Sequence, residues 1–347
     1  MNRRQIIACS IAALLPAALG TTSEAATESN GAVEEASYVE IGGTEQWLHI
    51  RGDDPRNPIL LILHGGPGST WDPFMDLFRN WEQHFTMAYW SQRGAGKSYR
   101  RSGPTIAATM TIDRMIEDAI EMAQYLTRRL DKRRVIVLAH SWGTVLGTMA
   151  VQRRPDLFVA YVGTGQLVNA VQGERAGREE TLRRARVANR QDAVAALEAL
   201  GEPPYDDINK MIAERKWADV FDTPSDAQFN QHWRNPAYFT DEDNAERTRA
   251  WLFSNLIMWG DKRQDGPIMK VDFAKSAVRF SVPIFFIQGG EDHITQTKLV
   301  AAYERKIVAP QKALIVLPDG GHNVVITMPD KFLAAMNQVL GGLVPAR

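Results

Sequence analysis

Ser141, Asp292 and His322 stand far apart in this chain, yet together they have the side chains needed for nucleophilic acyl transfer. A serine hydroxyl at its ordinary pKa is a poor nucleophile and needs a base. Histidine can take its proton, and a carboxylate can fix the imidazole tautomer and stabilise the imidazolium. Each of the three follows a short apolar run: Val135 to Leu138 before Ser141, Pro283 to Ile287 before Gly289-Gly-Glu-Asp292, and Ala313 to Leu317 before Asp319-Gly-Gly-His322. Taken singly, Asp292 reads as a helix cap and His322 as a turn residue. Glu291 is an alternative acid, and His293 is an alternative base that adjoins the acid instead of following the last strand. The joint placement at three strand ends, where ligands bind in parallel sheets, is what points to chemistry.

The surroundings of Ser141 fit a nucleophile. Val135-Ile-Val-Leu-Ala-His-Ser-Trp-Gly-Thr-Val-Leu-Gly147 reads as strand, sharp turn and helix, with small residues Ala139 and Gly143 two positions either side of the serine. The alternative is a serine that merely caps a helix. His64-Gly-Gly-Pro-Gly68 follows another strand, and its glycines leave backbone N–H groups free to face a developing oxyanion. Gly66 and Trp142 are the expected pair of donors, with Gly65 and Gly68 as alternates, and His64 reads as a structural hydrogen-bonder. Ser91 to Ser98 nearly spells a phosphate-binding loop. Its first position is serine instead of glycine, and Tyr99 to Pro104 offers no helix start to hold a phosphate. His49, His84, His140, His232 and His293 lack metal-ligand spacing, so neither a metal nor another cofactor is expected.

The elements that must hold these residues are legible as a doubly wound α/β sheet. Ile59 to Leu63 is a continuous apolar run, the mark of a strand buried on both faces, and Phe85 to Trp90 is a second. Tyr38 to Ile41 and Gln46 to Ile50 alternate as an antiparallel pair of edge strands turning at Gly42-Gly43. A short helix is expected over Pro73 to Trp81, and a helix with one apolar face over Thr111 to Leu130. Phe158 to Val162 is a further strand, and Lys331 to Leu340 a closing helix. Between them, residues 164–271 are rich in Arg, Glu, Ala, Gln and Trp, with helical stretches at Gly177 to Leu200 and Asp243 to Trp259. This reads as a helical cap inserted into a core made of residues 37–163 and 272–345.

Composition limits the function classes. With 347 residues, 44% hydrophobic and 23% charged, and a net charge of −1, nothing calls for nucleic acid or an anionic membrane. Arg3-Arg4, an apolar run from Ile6 to Leu19 and small residues near Gly20 to Ala25 read as a signal peptide over residues 1–25. The run is too short for a membrane span. Export to the periplasm or beyond would remove Cys9, the single cysteine, and leave no thiol chemistry and no membrane attachment.

His64-Gly-Gly-Pro-Gly68, Gln92-Arg-Gly-Ala-Gly-Lys-Ser98 and His140-Ser-Trp-Gly143 resemble the α/β-hydrolases, and within them the proline iminopeptidase branch. The resemblance implies that fold, with Ser141, Asp292 and His322 as nucleophile, acid and base. It departs at Ser91, where the branch has aspartate, at Ala139, where it has glycine, and after Trp259, where Gly260 replaces a glutamate that helps hold a substrate amine. The expected function is a secreted serine hydrolase acting on a small ester or amide, or a short peptide, through an acyl-enzyme. Trp251, Trp259 and Phe253, with Trp142 and Leu256, are candidates for the pocket wall. Glu174, Glu179, Asp206, Asp207, Asp243 and Glu246 are candidate amine-binding acids. Epoxide and haloalkane hydrolases of the same fold share an H-G-x-P loop but need aspartate where Ser141 stands. A non-catalytic small-molecule binding protein is the remaining alternative.

Overall fold

Every residue of Ile59–Leu63, Val135–His140 and Ile284–Gly289 is buried in the computed structural model, which describes residues 31–234 and 241–343. The continuous apolar runs have a simple cause. Leu61, Leu63, Val137 and Ala139 enter the core on one face of the sheet, while Leu60, Ile62, Ile136 and Leu138 enter the core on the other. Each such aliphatic side chain contributes about 1.5–3 kcal/mol when fully buried, so a polar residue on either face would be costly.

The chain runs β1 (Val33–Ile41), β2 (Thr44–Gly52), β3 (Ile59–Leu63), β4 (Thr86–Trp90), α1 (Gly96–Ser102), α2 (Ile112–Arg129), β5 (Val135–His140), α3 (Trp142–Arg153) and β6 (Phe158–Thr164). Then come five helices: α4 (Ala170–Val187), α5 (Gln191–Leu200), α6 (Ile208–Val220), α7 (Pro224–Arg234) and α8 (Asp241–Trp259). It closes with α9 (Phe273–Ser276), β7 (Ile284–Gly289), α10 (Thr297–Lys306), β8 (Lys312–Leu317), α11 (Val324–Thr327) and α12 (Pro329–Leu340). The eight strands form one sheet in the order β1-β2-β4-β3-β5-β6-β7-β8. β1, β2 and β4 pair antiparallel, and all other neighbours are parallel. β5, which delivers Ser141, is therefore central, and β2 is not an edge as expected, because it also pairs with β4. Gly42 and Gly43 both have positive φ, 59° and 72°, the two-residue hairpin turn whose twist matches its strands.

Local sequence explains several helix boundaries. Thr111 caps α2 by accepting the Arg114 N–H at 3.1 Å, and Asp113 early with Arg128 and Arg129 late complement the dipole. The helix expected over Pro73 to Trp81 is a 3₁₀ helix over Asp72–Gln83, kinked at Phe78. The stretch expected as one helix, Gly177 to Leu200, is two. Asn189 takes φ +52°, the Arg190 N–H reaches Ala185 O at 2.9 Å and the Asn189 N–H reaches Arg186 O at 3.0 Å, a left-handed helix stop followed by α5.

Within the insertion, α4 and α5 share a small core of their own, Leu182, Ala185, Ala193 and Leu197, on which Trp217 of α6 packs. Where the chain leaves the sheet and returns to it, Phe273 N–H bonds Val168 O at 2.7 Å and Ala170 N–H bonds Val271 O at 3.1 Å. These bonds close the base of the insertion. Among the described residues no helix is long and apolar enough to cross a membrane. The leader expected over residues 1–25 lies outside the described residues, as do the side chains of His232 and Asp243.

Candidate active site

The turn after β5 is strained, and its neighbours make room for it. Ser141 has φ 52° and ψ −120°, outside the regions a non-glycine residue normally occupies. Its hydroxyl makes no capping bond to α3, which removes the helix-cap reading. Gly143 is obligatory, since a Cβ there would fall 2.0 Å from the Leu63 carbonyl oxygen. The extra methyl of Ala139 is accommodated by a glycine across the crossing: a Cβ at Gly147 would lie 3.0 Å from it.

The hydroxyl meets a histidine. Ser141 Oγ lies 3.0 Å from His322 Nε2, and His322 Nδ1 lies 3.1 Å from Asp292 Oδ2. Asp292 also accepts the Ile294 and Thr295 N–H groups at 2.9 and 2.8 Å and the Thr295 hydroxyl at 2.7 Å. Burial alone would raise the Asp292 carboxyl; the facing His322 and these hydrogen bonds override it and hold the group well below the usual carboxylate range. For His322, burial disfavours the charged form, but Asp292, with Asp226 and Asp222 beyond it, outweighs burial and raises its pKa above the ordinary 6.5. The two alternatives do not face the serine. Glu291 is half exposed and pairs with Arg184 at 2.9 Å. His293 is buried with Nδ1 3.6 Å from Asp222, and burial pushes it down to about 4.

The Gly-rich loop lies beside Ser141. A small pocket of about 40 Å³ is bounded by Gly66, Ser141 and Trp142 together, the residues expected to supply nucleophile and oxyanion donors. Gly66 has φ +110°, a conformation that favours glycine, and a Cβ there would sit 2.8 Å from Gly68 N. His64 is structural: Nε2 accepts the Gln92 N–H at 3.1 Å, so Nδ1–H donates to Gly65 O at 2.9 Å, and burial pushes its pKa down to about 4. Gln92 straps the assembly together, donating to His64 O at 3.1 Å and accepting Trp142 Nε1–H at 3.1 Å. In the sequence Gln92 stands only at the head of a resembling motif, because an amide in a loop carries no signal of what it will bond.

The loop that resembles a phosphate site differs from expectation in one respect. A helix does follow it, α1, starting at Gly96. It leaves no space for a phosphate, because the Ser98 hydroxyl accepts the Trp47 N–H at 2.8 Å and donates to Ser91 O at 2.5 Å, while a Cβ at Gly96 would meet Thr70 at 2.7 Å. Arg93 is buried against Asp118 in a two-pronged ion pair at 2.6 and 2.9 Å. The Ser91 hydroxyl donates to Asp72 at 2.6 Å, so a carboxylate stands near the position where the resembling branch has aspartate.

A second, larger cavity of about 670 Å³ opens over Ser141 and His322, walled by α6 and α8. Trp251, Leu256 and Trp259 line it as expected. Phe253 does not: one helical step round α8, it packs on Tyr99 with ring centroids 4.8 Å apart. Trp142, 1% exposed, borders the small pocket and not the larger cavity. Of the expected acids, Glu179, Asp206 and Asp207 are exposed, and Glu246 pairs with Arg100. Glu174 alone among them lines the small pocket, where it pairs with Arg215 and accepts Gln264 Nε2–H at 2.6 Å. Asp219 and Asp222 line the larger cavity, and the sequence singled out neither. Among the described residues no cluster of His, Cys, Asp or Glu is placed to hold a metal.

The alpha/beta hydrolase fold family matches residues 58–329, which span every parallel strand and the whole insertion. The chain belongs to that family. It is 29% identical over 308 residues to a probable aminopeptidase, YbaC, of Bacillus subtilis, covering 86% of this chain and 93% of the relative. It is 28% identical over 171 residues to a proline iminopeptidase of Clostridioides difficile, 48% of this chain and 54% of that one. Among solved structures, a proline iminopeptidase of Mycobacterium smegmatis superposes with a TM-score of 0.63 at 20% identity, covering 89% of this chain and 98% of the other, a likeness of fold. The α/β-hydrolase and its proline iminopeptidase-related neighbours agree with the resemblance of the three motifs.

Proposed function

We propose that this α/β-hydrolase is a serine hydrolase that cleaves a small ester or amide through an acyl-enzyme on Ser141. The observation that carries the reading is the 3.0 Å contact between Ser141 Oγ and His322 Nε2, with Asp292 on the far nitrogen. In this scheme Ser141 attacks the substrate carbonyl as His322 takes its proton, and the N–H groups of Gly66 and Trp142 stabilise the oxyanion. His322 then protonates the leaving group, and a water activated by the same histidine releases the acid. The leaving group must reach His322, which lines the larger cavity, so the larger part of the substrate belongs there and the smaller acyl part beside Gly66 and Trp142. A serine at the elbow argues against epoxide or haloalkane chemistry, which needs a carboxylate nucleophile.

Glu174 and the names of the relatives favour a second reading, an aminopeptidase whose substrate amine sits against that carboxylate. Two features weigh against it. Gly260, where the resembling branch has glutamate, takes φ +119°, and a Cβ there would fall 1.9 Å from Arg263 O, so no side chain fits. Glu174 already has Arg215 and Gln264 as partners. Uncharged acyl esters are therefore expected to be hydrolysed at least as well as prolyl amides with a free amine. The test compares kcat/KM for a free-amine prolyl arylamide, its N-blocked counterpart and a short-chain aryl ester. A free-amine preference of about 100-fold or more, roughly 2.7 kcal/mol of transition-state recognition, would establish the aminopeptidase reading in place of the esterase one.

A further inference from the structure

The cap carries an acid that the scheme above does not use. Thr223-Pro224-Ser225-Asp226 has the residue types of a capping box, in which the acid reaches back to the cap residue. Half of that pattern is present, since the Thr223 hydroxyl accepts the Asp226 N–H at 3.2 Å. The Asp226 carboxylate, however, turns toward the sheet domain and is 0% exposed. Oδ2 accepts the backbone N–H of Asn323 at 3.0 Å and meets the Asn323 side-chain amide at 3.5 Å, and Oδ1 accepts the Thr327 hydroxyl at 3.4 Å. It also presses on Gly321, where a Cβ would fall 2.5 Å from Oδ2. One carboxylate from the cap thus touches the residues immediately before and after His322.

Burial of a carboxylate is unfavourable unless its lone pairs are met, and here the groups that meet them belong to the histidine loop and α11. We propose that Asp226 is a positioning residue through which the cap sets the catalytic base: it holds the backbone just after His322 through the Asn323 N–H, abuts Gly321 just before it, and so keeps Nε2 within reach of Ser141. The base is then competent only with α7 docked. This rests on the Ser141–His322 reading of the site. Asp226 lines neither cavity and so does not itself touch substrate, although Asn323, which it holds, borders the larger one. His322 faces Asp292 and His293 from the loop after β7, His140 from β5, and Asp222 and Asp226 from the cap; burial raises both cap acids, Asp222 to about 7, and removing the charge Asp226 carries when ionised lowers the proton affinity of His322.

The test uses the full chain as wild type, Asp226→Asn, Asp226→Ala and Ser141→Ala, with kcat and KM on a short-chain aryl ester from pH 5 to 9, and melting temperature. Asp226→Ala should lower kcat by about 10- to 100-fold, the scale of a displacement near 1 Å, with KM unchanged within about threefold. Asp226→Asn keeps an oxygen for the Asn323 N–H and should retain most of kcat, while the acid limb of kcat/KM moves to lower pH. Wild-type kcat in Asp226→Ala with an unmoved acid limb in Asp226→Asn overturns the proposal, whatever the melting temperatures. If Asp226→Ala does not fold, the acid limb of Asp226→Asn decides alone. Activity surviving in Ser141→Ala is a separate failure, of the catalytic reading itself.

Discussion

Replacing Asp292 by asparagine should disable the site without unfolding it. One carboxylate oxygen, Oδ1, accepts two backbone N–H groups, from Ile294 and Thr295, at 2.9 and 2.8 Å. The amide oxygen of asparagine must take that position, because an NH₂ group there would face two donors. The NH₂ is then forced into the place of Oδ2, 2.7 Å from the Thr295 hydroxyl, which can rotate to accept, and 3.1 Å from His322 Nδ1. Nδ1 also lies 3.2 Å from the Oδ1 position, but an oxygen there already accepts two N–H groups and the amide N–H stands closer, so Nδ1 is expected to accept and the imidazole proton to move to Nε2. With a proton on Nε2, the ring cannot take one from Ser141 across 3.0 Å. A triad locked in the wrong tautomer loses about 10⁴ in kcat, roughly 5.5 kcal/mol of barrier. Stability should change little, since the bonds to Ile294 and Thr295 survive. The assay is kcat on an activated ester with melting temperature on the same preparation, and a kcat within tenfold of wild type would refute the tautomer argument.

Further outcomes follow from the same geometry. The base must be neutral to act, and the pKa of His322 is raised, so kcat/KM should be full at alkaline pH and fall as pH drops through an apparent pKa above about 6.5; a profile flat down to pH 4 excludes His322 as base. Gly143→Ala drives a methyl into the Leu63 carbonyl and should cost more than about 3 kcal/mol in urea unfolding; an unchanged midpoint would show that the elbow can relax. In the proposed scheme His322 activates Ser141 without a metal, so a chelator should leave activity unchanged, and loss in EDTA with recovery on added zinc contradicts that. Protein recovered after export should begin between Gly20 and Ala26, and N-terminal sequencing that finds Met1 on it overturns the leader reading.

Much of the sheet was legible because burial on both faces leaves a signature in the strand itself: Ile59–Leu63 and Ile284–Gly289 carry no charged residue. The places of Ser141 and Asp292 were legible for the same reason, as each stands just past such a run, whereas His322 follows the apolar run of the edge strand β8, which is only partly buried. The cap was legible only as helical. Its helices expose more surface, so periodicity does not tell Phe253, which faces Tyr99, from Trp251 and Trp259, which face the cavity. Asn189 at a helix stop and Gly260 in a left-handed turn were present in the sequence, but their conformations come from contacts with Ala185, Arg186 and Arg263. The role of Asp226 depends on Asn323, 97 residues away, and no local pattern encodes that pairing.

The central claim is that Ser141 is the nucleophile, and covalent labelling by a fluorophosphonate followed by peptide mass spectrometry tests it most directly. The geometry predicts a single rapid adduct on Ser141, no rapid adduct in His322→Ala, and a folded Ser141→Ala protein whose kcat is down by about 10⁴ to 10⁶. Labelling at another residue, or a folded Ser141→Ala protein that keeps wild-type turnover, would contradict it.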